Sequence, residues 1–267
     1  MSVYLQKFMV SPHLKEFIND IFLLESGCDL VNSGMDIIEP NGTVKLIISL
    51  ESRVAGNHAN TGFFANKDQI AFVGMFDSPF EIKTFSSELT RIIIVEFNPV
   101  GSYRFINLNF DNTLNTCYSL DDICDNKLKK LEAAVSAETD VHGKVKKLQH
   151  YLQKMLYKTK EDPIFDYCIE KIAGAHGCIS IKELEKNTGY SDKWLNRKFR
   201  QKLGVSPKVY TSIVRFNSVF KCIASDPHLY HKEKIYLDFY YDQPHFIKDF
   251  KRYSGKTPNE FYSKYGR

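Results

Sequence analysis

The hydrophobic period of the chain changes from strand-like to helical as it runs from N- to C-terminus. As far as Phe97 the apolar residues fall in short runs rich in Ile, Val and Phe: Met35 to Glu39, Thr43 to Leu50, Gln69 to Phe76, Phe80 to Ser86 and Thr90 to Phe97. Asn-Gly, Asp-Ser-Pro and Ser-Ser-Glu turn signals separate them, which predicts strands. Several strands at close spacing predict an antiparallel β-sandwich or small barrel. Ahead of them, Ser11-Pro12 predicts a short helix with Leu14, Phe17 and Ile18 inward, then an extended Ile21 to Leu24. The stretch Val54 to Asp68, with Gly-Asn-His-Ala-Asn-Thr-Gly inside it, shows no period and is expected to be a mobile loop.

From Ser119 the spacing becomes helical. Leu128, Leu131 and Val135 follow the cap signal Ser119-Leu-Asp-Asp122, and Val145, Leu148, Leu152, Met155 and Leu156 form a stripe behind Asp140. That stripe either packs on the β-rich part or forms a dimer interface. Thr159 to Pro163 marks the boundary of the next unit, whose first helix starts at Asp162-Pro163. The periods thus divide the chain into a β-rich domain (1–118), a helical linker that is a possible dimerisation segment (119–160) and an all-α domain (161–267).

Within the last of these a pattern occurs twice. Tyr190 to Tyr210 aligns without a gap on Tyr241 to Phe261, at an offset of 51 residues. Ser191 and Asp242 are N-cap types. Leu195 and Phe199, like Phe246 and Phe250, lie four apart on one helical face. Gly204 and Gly255 then stop the helix, and Ser206-Pro207 and Thr257-Pro258 start another. Upstream, the capping box Ser180-Ile-Lys-Glu183 opens a short helix that Gly189 closes. Helix, glycine turn, helix is the helix-turn-helix signature. The polar face of its second helix carries Lys193, Asn196, Arg197 and Arg200, side-chain types that bond base edges and phosphates; the alternative is a solvated face. From Pro207 an apolar period runs on through Ile213, Phe216, Phe220 and Ile223 to Asp226-Pro227. About eighteen residues make a rod of roughly 27 Å. Its ends would hold the two units on the order of 34 Å apart, one turn of B-DNA.

Composition narrows the classes. A chain of 267 residues, 43% hydrophobic and 25% charged, suits two soluble domains and gives no sign of disorder. Residues 161–267 hold 19 Lys/Arg and 13 Asp/Glu, a formal +6 that leaves −2 for residues 1–160, so the polyanion-binding character sits at the C-terminal end. The six cysteines lack CxxC spacing and read as small buried residues of a reducing compartment, with Cys117 and Cys124 as an alternative redox pair. His228 and His231 form a solvated turn or half a metal site, and His58 has no acidic neighbour in sequence. No signal peptide or membrane-length apolar run is present, which predicts a cytoplasmic protein. Walker, G-x-G-x-x-G, G-x-S-x-G and H-E-x-x-H motifs are missing, so neither catalysis nor a cofactor or metal is expected.

Residues 171–265 resemble the DNA-binding domain of the AraC/XylS family of bacterial transcription regulators. The match rests on Gly189-Tyr-Ser191, Leu195-x-Arg197-x-Phe199, Gly204-x-Ser206-Pro207 and the Arg215-Phe-Asn run. In the second unit it rests on Tyr241-Asp-Gln-Pro-His-Phe246, Phe250-Lys251 and Gly255-x-Thr257-Pro258. The resemblance implies an α+β protein with a C-terminal all-α domain of two helix-turn-helix units joined by a long helix. It implies base reading by Lys193, Asn196 and Arg197 and by Gln243, His245 and Lys248, with Arg200, Lys202, Lys208, Lys251, Arg252 and Lys256 on phosphates. Trp194 meets a thymine methyl or packs at the domain edge. Two departures stand out. Glu185 occupies a place where the family usually has alanine, and no glycine precedes Tyr241, so the second turn is expected to take another geometry.

The N-terminal part is similar, through Ser11-Pro-His-Leu, Ile38-Glu-Pro-Asn-Gly42 and Asn98-Pro99-Val-Gly101, to the β-rich sensory domain of one branch of that family. In relatives this is a cupin-like barrel holding a small effector, commonly a sugar. The partners implied are double-stranded DNA, a small-molecule effector, RNA polymerase and a second copy in a homodimer. Two alternatives remain: an N-terminal domain that serves only dimerisation or protein docking, and an enzyme fused to a DNA-binding domain, which needs an activated cysteine.

Overall fold

The computed structural model describes residues 3–27, 37–51, 54–58, 61–84, 89–106, 108–120, 123, 126–156, 161–225 and 234–265. Its β-rich part is a pair of antiparallel sheets, as expected. The larger runs β1 (Val3–Phe8), β2 (Ile18–Gly27), β9 (Leu89–Phe97), β4 (Val44–Ser49), β7 (Ile70–Val73), β10 (Cys117–Ser119), and the smaller runs β3 (Ile37–Ile38), β8 (Phe80–Thr84), β5 (Val54–His58), β6 (Thr61–Ala65). Both faces of the larger sheet are covered, so its central strands are apolar through their middles, at Leu46 to Ile48, Ile70 to Val73 and Ile92 to Val95. In β9, Ile92 and Ile94 join Ile47, Ala71 and Phe80 between the sheets, while Ile93 and Val95 face the other way.

The second face is covered by helices. After α1 (Pro99–Phe105) come α2 (Asn126–Ser136) and α3 (Val141–Leu156). Leu128, Leu131, Val145, Leu148 and Leu152 share one core with Leu46, Ile48 and Ile93. The α3 stripe is therefore consumed inside the β-rich part, which removes it as a dimer surface.

Three local expectations are corrected. Val54 to Asp68 is not a loop: β5 and β6 pair as a hairpin, His58 opposite Thr61, and β5 also pairs with β8. Its backbone ladder holds it where its side chains give no period. Asp68 is held by the buried Lys144 Nζ at 2.9 Å. The short helix at Ser11 is a single 3-10 turn, Pro12–Leu14, before β2. β1, β10 and α1 lie in stretches where no element was expected.

The C-terminal part comprises α4 (Pro163–Gly174), α5 (Ile181–Thr188), α6 (Asp192–Leu203), α7 (Pro207–Ser225), a 3-10 turn (Ile235–Asp238), α8 (Gln243–Ser254) and α9 (Pro258–Tyr265). Asp162 caps α4, as its Oδ1 accepts from the Phe165 N–H. The core is aromatic: Phe165, Phe199, Phe216, Phe246, Phe250 and Tyr253 are each fully or almost fully buried. Helix α7 has 19 residues, about 28 Å of rod. The Asp226-Pro227 stop expected after it lies outside the described residues. Among the described residues no helix is long and apolar enough to cross a membrane.

The two parts are packed together. Asn217 on α7 donates from Nδ2 to the Pro40 carbonyl at 2.8 Å, and Gly42 lies against Tyr210 and Ile213. Met75, from the segment after β7, belongs to the C-terminal core.

Candidate nucleic-acid interface

Each copy of the repeat builds the same helix. Ser191 Oγ accepts from the Trp194 N–H and Asp242 Oδ1 from the His245 N–H, so α6 and α8 are capped alike. Gly204 and Gly255 end them at φ +75°. Leu195, Phe199, Phe246 and Phe250 are buried. That orientation leaves Lys193, Arg197 and Arg200 exposed on α6, and Gln243, His245, Lys248, Lys251 and Arg252 exposed on α8. Lys208, at the start of α7, is also exposed.

Three candidates are placed differently. Asn196 is half-buried, and its Nδ2 donates to the Asp192 carbonyl at 3.0 Å and to Asp192 Oδ1 at 2.6 Å. Bidentate adenine reading needs that amide released. Lys202 does not face solvent: its Nζ lies 3.4 Å from Asp162 and 3.4 Å from the centroid of Tyr103. Burial lowers its pKa, against the pull of Asp162, and it leaves the phosphate set for the interface between the two parts. Lys256 is half-buried near Glu39, whose carboxyl burial pushes up while Lys256 draws it down.

The two departures from the family pattern have structural answers. Glu185 Oε1 accepts from the Asp192 N–H at 2.5 Å, so it adds a cap to α6 from across the first turn. In the second unit a 3-10 turn precedes α8 and Phe239 sits at φ −117°, so no left-handed residue is needed there. Trp194 packs, stacked on Tyr190 with ring centroids 4.0 Å apart.

Arg215 was legible only as part of a family motif, without a role. Its Nη2 reaches Asp249 Oδ2 at 3.1 Å and joins α7 to α8. A cation in the middle of a helix, directly before the buried Phe216, is the signal that could have singled it out. Burial opposes its charge, but Tyr240 and Asp249 together raise its pKa. His245 completes the cluster, 3.7 Å from Asp249 and edge-on to Tyr240.

The enzyme alternative requires a thiol with a lowered pKa. Burial instead pushes Cys117 and Cys178 up, and Cys168 up to about 11. Cys28, Cys124, His228 and His231 lie outside the described residues.

Residues 6–119 match a family model described as "Domain of unknown function (DUF6597)". No curated protein matches the chain. Among solved structures, an apo form of a ToxT variant from Vibrio cholerae strain SCE256 superposes with a TM-score of 0.50 at 10% identity, covering 92% of this chain and 97% of that one. A second ToxT structure from Vibrio cholerae, the P21 form, gives 0.48 at 12% identity over 100% and 99% of the two chains. Wild-type ToxT with bound unsaturated fatty acid, from strain SCE256, gives 0.47 at 11% identity over 90% and 93%. In fold the chain is thus similar to ToxT across both parts, and its architecture is the one implied by the AraC/XylS resemblance: a β-rich domain followed by two helix-turn-helix units on a long helix.

Proposed function

We propose that the protein is a sequence-specific, DNA-binding transcription regulator of the AraC/XylS type, acting in the cytoplasm and controlled by a small molecule held in its β-rich part. The observation that carries this reading is the repeat: α6 and α8 are capped alike, stopped alike and bury the same face, and each turns a basic, polar face to solvent. Arg197 reads guanine and Gln243 adenine, each bidentate pair typically giving about 1–3 kcal/mol of discrimination. Asn196 joins them once Asp192 releases it. Arg200, Lys208, Lys251, Arg252 and Lys256 meet phosphates and fix the register. From a bound promoter the protein would reach RNA polymerase.

The test is a binding assay with promoter fragments across a salt titration. Wild type should prefer some fragments over others and weaken steeply with salt. Arg197→Ala should lower that preference by about tenfold or more. An unchanged preference would sink the reading. For the effector, a thermal-shift screen against metabolites should find a ligand that raises the unfolding midpoint.

A second reading makes the β-rich part a dimerisation module. Its support is the edge strand β1, where Tyr4, Leu5 and the following Met9 are 56%, 50% and 85% exposed. Sedimentation of a Leu5→Lys/Met9→Lys variant beside wild type tests this reading, since only a dimer formed through β1 loses mass.

A further inference from the structure

Between the two helix-turn-helix units the surface sinks into a cleft of about 780 Å³. Three helices wall it: the first turn of α5 at Ser180 to Lys182, the first two turns of α7 from Lys208, and the face of α8 that carries Lys248 and Arg252. The cleft is cationic. Lys182, Lys208, Arg215, Lys248 and Arg252 line it; against them stand Asp249, in the lining, and Asp77, which reaches Arg252 from outside it, and the five cations less two carboxylates leave a formal +3. Asp249 is already occupied by Arg215 at 3.1 Å and by the Ser212 hydroxyl at 3.0 Å. Lys182, Lys208 and Lys248 are exposed, and none is in an ion pair among the described residues.

Charge alone would describe an ordinary basic surface. Two further features make it a site. The N-terminal ends of two helices, α5 with 8 residues and α7 with 19, open onto it and add their partial positive charge. Thr211, only 6% exposed, lines the cleft and its buried hydroxyl has no partner, and the Nε of Arg215, a lining residue four positions further along α7, is likewise buried without one. Buried donors of this kind fit an acceptor-rich anion whose oxygens take hydrogen bonds from a hydroxyl and a guanidinium together.

We propose that this cleft is a phosphate-binding site, filled by the DNA backbone where it passes between the two recognition helices. The proposal rests on the DNA-binding reading above. A chain that enters two successive major grooves from one side must face the intervening minor groove, whose rims are phosphates. Lys182, Thr211 and Arg215 then join the contact set, and Lys248 turns from bases to backbone. A free phosphorylated metabolite would meet the same groups, and the test distinguishes it.

The experiment uses the full chain and a random-sequence duplex, so that no operator is needed. Lys182→Gln/Lys208→Gln removes two exposed cations. The slope of log affinity against log salt should fall by about 1.8, at roughly 0.9 for each phosphate that is no longer neutralised. The control Lys146→Gln/Lys154→Gln, on α3, should leave it unchanged. In a second arm, pyrophosphate is the probe and the thermal midpoint the readout. A smaller slope supports the backbone as occupant. An unchanged slope, or a wild type that binds no duplex, overturns that occupant; if pyrophosphate then protects wild type and not the variant, the site holds a free phosphate ligand. If neither arm responds to the variant, the phosphate site is overturned. A wild type that binds every sequence equally would sink the regulator reading while leaving this slope intact.

Discussion

Gly189 and Gly204 stop α5 and α6 with almost the same backbone, φ +72° and +75°, but in different surroundings. A Cβ on Gly189 would meet nothing within 4 Å, whereas one on Gly204 would lie 2.6 Å from Thr113 Oγ1 and 2.7 Å from the Phe110 carbonyl. Gly189→Ala therefore carries only the left-handed penalty, about 1 kcal/mol. Gly204→Ala must also push α6 off the segment after α1, and roughly 3 kcal/mol is expected. Urea denaturation of the two variants checks the ranking. Equal losses would mean that the C-terminal end of α6 does not rest on the β-rich part. Asn115 offers the converse case, a non-glycine residue at φ +58°. Its side chain compensates locally, exchanging hydrogen bonds with Asp77: Nδ2 donates to Asp77 Oδ1 at 2.7 Å and Oδ1 accepts from the Asp77 N–H at 3.0 Å.

At the level of whole elements, Asp162 ties α4 to α6. It caps α4 and also takes Lys198 at 2.8 Å and Lys202 at 3.4 Å. Burial pushes its carboxyl up, but the Lys198 hydrogen bond, the Phe165 N–H and the Lys202 charge outweigh it and hold the pKa below the ordinary 3.8. A depressed carboxylate stabilises the fold fully above its unfolded value and stops doing so as pH falls through the folded one. Asp162→Asn keeps the cap oxygen and removes the charge. Its unfolding midpoint should lie below wild type near neutral pH, and the gap should close as pH drops from about 5 towards 2. A gap independent of pH would mean that the loss does not come from the charge of the carboxylate. This clamp was half legible: the Asp162-Pro163 cap and the polar face of α6 could be read from their spacing. The partner of Lys202 could not, because a lysine facing solvent and one facing a distant carboxylate look the same in a helical period. The strands divide in the same way. β4, β7 and β9 announce themselves through apolar runs that both faces of the larger sheet demand. β1, with Tyr4 and Leu5 exposed, and the β5–β6 hairpin take their place from backbone pairing, which leaves no mark on side-chain pattern.

Across the whole molecule, the β-rich part holds some of the groups that DNA would need. Arg252 on α8 lines the cationic cleft, yet its Nη2 is 2.6 Å from Asp77 Oδ2, in the segment that follows β7. The Asp77 side chain is mostly buried and the Arg252 side chain half-exposed, at 17% and 48%. An ion pair with so open a partner contributes at most about 1 kcal/mol to stability. Its effect on binding is larger, because a cation already paired with a carboxylate releases little counterion when it meets a phosphate. Asp77→Asn preserves the side-chain shape and the hydrogen bonding with Asn115 while freeing the guanidinium. The variant should bind a random duplex more tightly than wild type at low salt, with a salt slope steeper by about 0.9, and should unfold at nearly the wild-type midpoint. Adding Arg252→Gln to Asp77→Asn should erase both gains, since the freed cation is then gone. If Asp77→Asn tightens binding and the second substitution leaves it tight, the relief comes from lost repulsion by the carboxylate and not from Arg252. If Asp77→Asn changes neither affinity nor slope, the Asp77 edge of the β-rich part does not govern access to DNA, and the proposed effector control would have to run through the Pro40–Asn217 and Gly42–Tyr210 contacts on α7 instead.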